Sequence, residues 1–516
     1  MRWGEHMSEK KNNSVEQVTS FCQKHPSILF LFGYIGLLLL NYVFEKNERI
    51  GDTQFTESIM QVCLLLSAGM FIIYVMREQK KLQKEEALLM FIMCVGIIMR
   101  VGYTMYTPWF LRGHDLGNLS TDADATGHCA YILHLFEGKL PSTNEYQFYH
   151  PPLYHFLAAC TMHISGWLSG KTEGTELIEA AKLVSCMASI GVLYQVKEML
   201  KENRLLGRTG NVIMLIVACM PNYYLMAGRI NNDSLVFFFM VLIVRYTIKW
   251  YRNPDYKNTI ILALGFGFGI MTKVSCGVMA LFTGIVMLIK FYQAVKNHTY
   301  ISMLKKFVVF GGISGVLGLW YPLRNRLLFH QPLNYVTEIP IENPVYCGDH
   351  SLAERFSLLY EFTGTRALYN NYIDDYNLLG FFSRSAVFGE FEFSVTEWVA
   401  HWLFIINGIL ALVALIAMIY CLIKVKNHRN VMFGLAFAWL IQVGSFIWFN
   451  IQYPFACTMD YRYIPLTTII GAIFMGIFFR HARQKSGIGY RILCKGMQAI
   501  VLLYATLSVV MYTQIQ

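Results

Sequence analysis

The stretch LFIINGILALVALIAMIYCLI, residues 403–423, carries no charged side chain. It is as long as the roughly 20 apolar residues that an α-helix needs to cross a bilayer. The mean hydropathy of the whole chain is +0.41, and only 15% of its 516 residues are charged, which is unlike a soluble domain. Runs of this kind recur along the chain, at 27–44, 59–76, 87–107, 177–200, 210–227, 233–251, 258–272, 275–291, 304–322, 397–423, 431–450, 462–480 and 493–513. The sequence therefore predicts an all-α polytopic membrane protein with about 13 transmembrane helices.

The distribution of charge predicts which loops face the cytoplasm. With the N-terminus inside, the cytoplasmic segments hold 27 of the 43 Lys and Arg residues but only 9 of the 33 Asp and Glu residues. Lys and Arg are retained on the cytoplasmic side of short loops. We therefore expect a cytoplasmic N-terminus and two long outer loops, 108–176 and 323–396. The net charge of +10 then reflects topology, and no nucleic-acid partner is expected.

The predicted spans divide the chain into three parts. Residues 1–86 hold a cytoplasmic N-terminus and two transmembrane helices, and residues 481–516 hold a cytoplasmic loop and the last helix. Between them, 87–480 forms the membrane core with both outer loops. Within this core, the runs at 258–272 and 275–291 are predicted to form a bent hairpin around Thr272-Lys273.

The first outer loop gathers most of the ionisable chemistry of the core. Its central stretch, RGHDLGNLSTDADATGHCAYILHLFEGKLPSTNEYQFYHPPLYH, covers residues 112–155. Ser120-Thr121-Asp122 is typical of a helix start, which predicts a helix over 123–137 that ends before Gly138 and Pro141. Pro151-Pro152 suits the first turn of a second helix. Because both segments are too interrupted to span, we expect two short helices lying in the membrane interface.

These motifs resemble the first loop of the GT-C superfamily of polytopic glycosyltransferases, which includes protein O-mannosyltransferases and aminoarabinose transferases. The shared features are an Asp that opens an interfacial helix, a Gly-x-Leu-Pro turn and the sequence YHPPLYHFL. Further motifs follow in the same order: RINNDSLVFFF at 229–239, GFGIMTKVS at 267–275, YPLRNRLLFHQPLNY at 321–335 and DYRYIPL at 460–466. The likeness covers about 87–480.

The resemblance implies a GT-C fold and a particular reaction. A sugar would move from a polyprenyl-phosphate donor to a hydroxyl group on the extracytoplasmic face of a bacterial plasma membrane. The acceptor would be a glycan, a lipid or a protein, and membrane lipids would surround the chain. The donor carries a single phosphate, so we expect no required metal ion, although a divalent ion is compatible with the site.

Transfer to a hydroxyl needs a base that takes the acceptor proton. In the family, the catalytic Asp lies about a helix length before the Gly of the Gly-x-Leu-Pro turn. Asp124, fourteen residues before Gly138, fits best, although Ala125 stands where a Glu is common. Asp115 in RGHDLG and Asp122 remain open as the base. The alternative for Asp122 and Asp124 is a structural one, the capping of a helix.

The departing phosphate needs cationic or hydrogen-bonding groups. His150 precedes the paired prolines, where relatives often place a Lys or His near the donor phosphate. The other candidates are cationic or imidazole side chains in the outer loops or near predicted outer helix ends: Arg462, Lys273, His128 and Arg324. His128 would share a helix face with Asp124. The alternative for Arg462 and Lys273 is snorkelling to lipid headgroups. The spacing of the loop histidines does not fit a zinc site.

Two other functions remain open. A transporter or lipid flippase is also polytopic, but it normally places ionisable residues near the bilayer midplane and often contains inverted repeats. Here the ionisable residues gather in an outer loop. A polysaccharide polymerase or ligase is a closer alternative, because it also joins lipid-linked sugars outside the cell.

Overall fold

A computed structural model describes residues 26–78, 84–143, 145–333, 335–358, 368–485 and 487–515. Within these ranges the fold is helical and contains no strand, and an isolated antiparallel bridge joins Tyr346 to Phe455. The prediction of an all-α fold is confirmed.

The helices follow one another along the whole described chain. In chain order they are α1 Pro26–Lys46, α2 Thr53–Glu78, α3 Lys84–Tyr106, α4 Gly127–Phe136, α5 Leu153–Ser169, α6 Gly174–Leu177, α7 Lys182–Glu202, α8 Arg208–Ala218, α9 Pro221–Leu225, α10 Asp233–Arg252, α11 Tyr256–Thr272, α12 Met279–Lys296, α13 Tyr300–Phe329, α14 Leu352–Arg355, α15 Leu378–Phe388, α16 Glu397–Lys424, α17 Arg429–Gln452, α18 Leu466–Arg483 and α19 Ile488–Gln514. Short 3₁₀ segments lie at Ile178–Ala181, Met226–Gly228, Val274–Val278, Ala456–Met459 and Tyr461–Tyr463.

Many of these helices are able to cross a membrane. Among the described residues, 9 helices are long and apolar enough, or 10 if α8 and the bent segment Pro221–Gly228 form one span. The chain is therefore an integral multi-pass membrane protein. A helix occupies each of the predicted ranges, but α2, α11 and α18 are not among those 9 helices. The number of 13 spans stays a prediction.

A buried arginine stabilises the bend between α8 and α9. The two parts meet at an angle of 57°, and Pro221 removes a backbone donor there. Arg100 of α3 donates to the carbonyl oxygens of Ala218 at 3.1 Å and Val217 at 3.3 Å. These carbonyls belong to the last turn of α8 and lack partners within their own helix. The bend directs the chain towards Arg229 and Asp233, which belong to the site described below.

The first outer loop differs from its prediction at the start of α4. Backbone bonds run from His128 N to Asp115 O at 2.9 Å and from Asn118 N to Thr126 O at 3.0 Å. Gly117 has a φ of +68°, and a Cβ there would lie 1.7 Å from Thr126 O. Because this pairing holds the chain extended, the helix begins at Gly127, and the predicted start at 123 is wrong.

The two loop helices pack on the ends of membrane helices. Apolar side chains of α4 and α5, among them Ile132 and Met162, share one core with Ile178 and Leu235. The Tyr131 hydroxyl donates to Tyr321 OH on α13 at 2.9 Å. Helix α13 runs on to Phe329, past the predicted end of its span at 322.

Helix α5 presents aromatic residues on its outer surface. Trp167 is 83% exposed and Phe156 is 54% exposed. Aromatic rings of this kind are enriched where a membrane meets water. The exposure fits a helix lying in the interface.

Candidate active site

Charged residues from separate segments meet around one arginine near the ends of the membrane helices. Asp115 comes from the first outer loop, Asp233 opens α10, Glu390 follows α15, and Asp460 lies two residues before Arg462. We call these four acidic residues the carboxylate cluster.

Arg462 lies at the centre of the carboxylate cluster without bonding tightly to any member. Its Nη1 lies 3.8 Å from Asp115 Oδ2, and its Nη2 lies 3.9 Å from Glu390 Oε1. Its Nε lies 3.7 Å from Asp233 Oδ2 and 3.9 Å from Asp460 Oδ2. A direct charged hydrogen bond measures about 2.7–2.9 Å. Within the described part of the chain, Nε and Nη1 have no hydrogen-bond acceptor, although the side chain is buried.

Asp115 lies at the outer edge of the carboxylate cluster. Its backbone has a φ of 55°, a conformation that Asp adopts more readily than most residues. The Tyr146 hydroxyl donates to Asp115 Oδ1 at 2.5 Å. Burial, and then the Asp115 carboxylate, raise the pKa of Tyr146, so the phenol keeps its proton. The Asp115 side chain is 25% exposed, which leaves it accessible to a molecule in solution.

Asp122 and Asp124 are exposed on the loop before α4. Ser120 Oγ donates to Asp124 Oδ1 at 2.8 Å, and Asn118 Nδ2 donates to the Asp124 backbone oxygen at 2.8 Å. Since α4 begins at Gly127, neither Asp caps it, and the prediction that His128 shares a helix face with Asp124 is wrong. Both hydrogen bonds connect Asp124 to residues of its own loop.

Lys273 forms an ion pair with Asp233, a member of the carboxylate cluster. The helical path breaks at Lys273, between α11 and the 3₁₀ segment that follows, as the predicted hairpin requires. Lys273 Nζ lies 2.5 Å from Asp233 Oδ1 and 5.2 Å from the centre of the Tyr463 ring.

Three histidines form a stack beside the carboxylate cluster. His128 Nδ1 lies 2.8 Å from His155 Nε2. The rings of His128 and His150 are nearly parallel, with centroids 6.1 Å apart. Burial lowers the pKa of His128 to about 4, and burial followed by the Lys273 charge lowers the pKa of His150. Both imidazoles are therefore neutral near pH 7.

Arg324 has a different set of neighbours. Its Nη2 donates to Pro141 O at 3.1 Å, and its guanidinium lies 5.3 Å from the Tyr321 ring. These contacts connect the Gly-x-Leu-Pro turn to α13. Among the residues that the structure describes, no hydrogen bond or ion pair joins Arg324 to the carboxylate cluster.

Sequence reasoning missed three members of the site. Glu390 and Asp460 complete the carboxylate cluster, and His114 Nδ1 contacts Glu390 Oε2. Arg229 belongs to the RINNDSLVFFF motif of the sequence and lies over the Phe391 ring. Burial raises the pKa of Glu390 well above its usual value. Two signals were available in the sequence. Glu390 follows a glycine inside an aromatic run, and Asp460 belongs to the DYRYIPL motif.

Comparison with known families adds an independent finding. Residues 149–317 match the family model described as dolichyl-phosphate-mannose-protein mannosyltransferase. That range includes His150, Asp233 and Lys273. A comparison with curated proteins finds no match. The family match supports a membrane glycosyltransferase that uses dolichyl-phosphate-sugar donors. Together with the all-α multi-pass architecture, it supports assignment of the chain to the GT-C superfamily of glycosyltransferases.

Proposed function

We propose that this chain transfers a sugar from a polyprenyl-phosphate donor to a hydroxyl group at the extracytoplasmic face, with Asp115 as the general base. The observation that carries the proposal is the buried Arg462, whose Nε and Nη1 have unused hydrogen-bonding capacity, 3.8 Å from the accessible Asp115. A cation for the leaving phosphate and a base for the acceptor thus lie side by side.

The reaction needs one proton transfer and one displacement at the sugar. The acceptor oxygen bonds to the anomeric carbon, and the bond from that carbon to the phosphate oxygen breaks. The electron pair of the broken bond leaves on the polyprenyl phosphate, and the acceptor proton passes to Asp115. A base must lie within hydrogen-bond reach of that proton. Asp115 meets this need better than Asp124, whose carboxylate accepts from Ser120 on the exposed loop.

Three groups are proposed to bind the donor phosphate. Arg462 would use its Nε and Nη1 donors, because a guanidinium binds two phosphate oxygens at once. Lys273 would add charge while it remains paired with Asp233. The neutral His150 would donate a single hydrogen bond. Such donors stabilise the charge that develops on the leaving group.

The placement of the charges argues against transport as the main function. Asp233 is the first residue of α10, Lys273 follows the last residue of α11, and Arg462 precedes α18. A transporter usually places its ionisable residues near the bilayer midplane. Charges at helix ends instead suit a reaction at the membrane surface.

We further propose the setting of this reaction. The N-terminus would be cytoplasmic, the membrane would be the plasma membrane of a bacterium, and the acceptor would be a glycan, lipid or protein. Residues 87–480 would form the catalytic core, with the helices of 1–86 and 481–516 as additions.

The donor class is tested with purified protein in liposomes and a membrane extract as the source of acceptor. We expect release of polyprenyl phosphate from a polyprenyl-phosphate sugar, together with labelling of the acceptor. A nucleotide sugar without added polyprenyl lipid should give no labelling, because a nucleotide-binding fold needs two β-α-β halves. Direct transfer from the nucleotide sugar would refute the proposal.

A further inference from the structure

We propose that His114, Glu390 and Asp460 form a binding site for a divalent metal ion beside Arg462. One ligand atom from each side chain lies within 4.8 Å of the other two, and all three residues are buried. The residues come from three distant segments, so their meeting is a property of the fold and not of local sequence.

The carboxylate oxygens of this group have few partners outside it. Both Glu390 carboxylate oxygens and Asp460 Oδ2 are buried, and apart from the contact of Glu390 Oε2 with His114 Nδ1 they have no hydrogen-bond partner among the described residues. Arg462 lies 3.9 Å from Glu390 Oε1 and 3.9 Å from Asp460 Oδ2, which is too far for a direct hydrogen bond. Buried polar atoms in folded proteins normally have partners, so unpaired ones indicate a missing group.

The charge balance of the site is compatible with a bound cation. The carboxylate cluster contributes four negative charges when it is ionised. Arg462, Lys273 and the buried Arg229 contribute three positive charges, which leaves one negative charge that either a proton on Glu390 or a cation must compensate. An uncompensated buried charge is strongly destabilising. A divalent ion changes the sum to one positive charge, which a phosphodiester donor with one negative charge would neutralise.

The donor atoms indicate the kind of ion. One imidazole nitrogen and two carboxylate oxygens suit Mn²⁺ or Zn²⁺ better than Mg²⁺ or Ca²⁺, which prefer all-oxygen sites. Three protein ligands leave at least one coordination position open, as in catalytic metal sites. We assign that position to an oxygen of the donor phosphate. This assignment rests on the proposed function, whereas binding of the ion alone does not.

Metal binding is measured on the full-length protein in detergent, without any sugar donor. The protein is stripped with EDTA, Mn²⁺ or Zn²⁺ is added singly, and the bound metal and the Tm are determined. We expect about one ion per chain and a higher Tm with the ion. Glu390→Gln should lower the bound metal at least tenfold. Glu392→Gln, an exposed position two residues later, is the matched control and should bind as the native protein does.

A proton on Glu390 is the alternative explanation for its unpaired carboxylate oxygens. The same variants distinguish this proton from a bound metal ion. Glutamine imitates a protonated carboxyl group, so Glu390→Gln would then retain the native Tm, and EDTA would have no effect. That result, or the absence of bound metal in the native protein, overturns the inference. His114→Gln, expected to lose the metal as well, replaces Glu390→Gln if that variant does not fold.

The metal site and the proposed function fail in different ways. Full transfer from the lipid donor by metal-free protein would support the proposed function. It would also show that the metal ion takes no part in the reaction. Stoichiometric, Glu390-dependent metal binding without any transfer from a lipid donor would leave the metal site standing and refute the function.

Discussion

Arg462 is the cation that lies close to all four members of the carboxylate cluster. It lies between 3.7 and 3.9 Å from each member of the carboxylate cluster. A neutral residue in its place would leave four acidic groups facing one another in a buried pocket. Removal of one partner from a buried ion pair costs about 3–5 kcal/mol. The same side chain therefore serves the stability of the outer loops and the binding of the donor phosphate.

Substitution of Arg462 should separate these two roles. Arg462→Lys keeps the charge but loses the planar pair of donors, so we expect a near-native Tm and a donor KM raised about tenfold. Arg462→Met should lower both the Tm and the activity. Thermal unfolding and donor titration measure the two effects. If Arg462→Lys binds donor as the native protein does, the phosphate contact belongs to another residue.

His128 makes the stability of the first outer loop depend on pH. Its pKa is lowered to about 4 by burial, against 6.5 in an unfolded chain. Between these two values the unfolded chain binds a proton that the folded chain does not bind, so stability falls as the pH falls from 6.5 towards 4. The shift corresponds to a loss on the order of 3 kcal/mol. We expect the Tm to fall over this range, and to fall less in His128→Gln. An equal fall in both proteins would contradict this role for His128.

The choice between Asp115 and Asp124 shows where sequence reasoning at single residues ends. The spacing to Gly138 favoured Asp124, because the catalytic Asp of the resembled family lies about a helix length before the Gly of the Gly-x-Leu-Pro turn. The backbone pairing of Asp115 with His128 was not predictable from spacing, since it joins residues thirteen positions apart in an irregular loop. That pairing moves the helix start and brings Asp115 to Arg462.

At the scale of elements, the turn formed by Gly117 and Gly127 determines where Asp115 lies. Both glycines have positive φ values, +68° and +82°, and their Cα atoms lie close together. A Cβ on either residue would overlap the backbone of the opposite segment. The segment before α4 therefore depends on close backbone contact at these two glycines.

A pair of glycine variants tests this element. Gly117→Ala should strongly lower the Tm and the transfer rate, because its Cβ would lie 1.7 Å from Thr126 O. Gly138→Ala is the control, since Gly138 has a similar φ of +75° but nothing lies within 4 Å of its Cβ. Its cost should be only the backbone strain, about 1–2 kcal/mol. Equal effects of the two variants would show that close contact at Gly117 is unimportant.

The long helices were predictable from the sequence, and the short 3₁₀ segments were not. Apolar runs near 20 residues located helices such as α13 and α16, because membrane burial imposes both length and composition. The 3₁₀ segments at Val274–Val278 and Tyr461–Tyr463 carry no such pattern. They nevertheless position Lys273 and Arg462, because these residues lie where regular helices stop.

At the scale of the whole molecule, the site depends on which side of the membrane the first outer loop occupies. The excess of Lys and Arg in the predicted cytoplasmic segments predicts that this loop lies outside. The carboxylate cluster would then face the same side as the sugar of a translocated lipid donor. Glu390 was not predictable at this scale, because it reaches the site only through packing of the second outer loop.

Cysteine labelling tests this topology in intact cells. Ser142→Cys lies in an exposed part of the first outer loop and should react with a membrane-impermeant thiol reagent. Asn297→Cys, exposed between α12 and α13, should react only after permeabilisation. The parent protein should have its accessible native cysteines replaced. The opposite pattern would place the proposed site in the cytoplasm.

The most direct test of the account compares Asp115→Asn with Asp124→Asn in transfer from a polyprenyl-phosphate sugar, with turnover and donor affinity measured separately. Loss of a proton acceptor typically slows a reaction by about two to four decades. We therefore expect Asp115→Asn to lower kcat by that amount with little change in donor affinity, and Asp124→Asn to keep most of the native turnover. Near-native turnover of Asp115→Asn together with an inactive Asp124→Asn would contradict the account and place the base on the loop before α4.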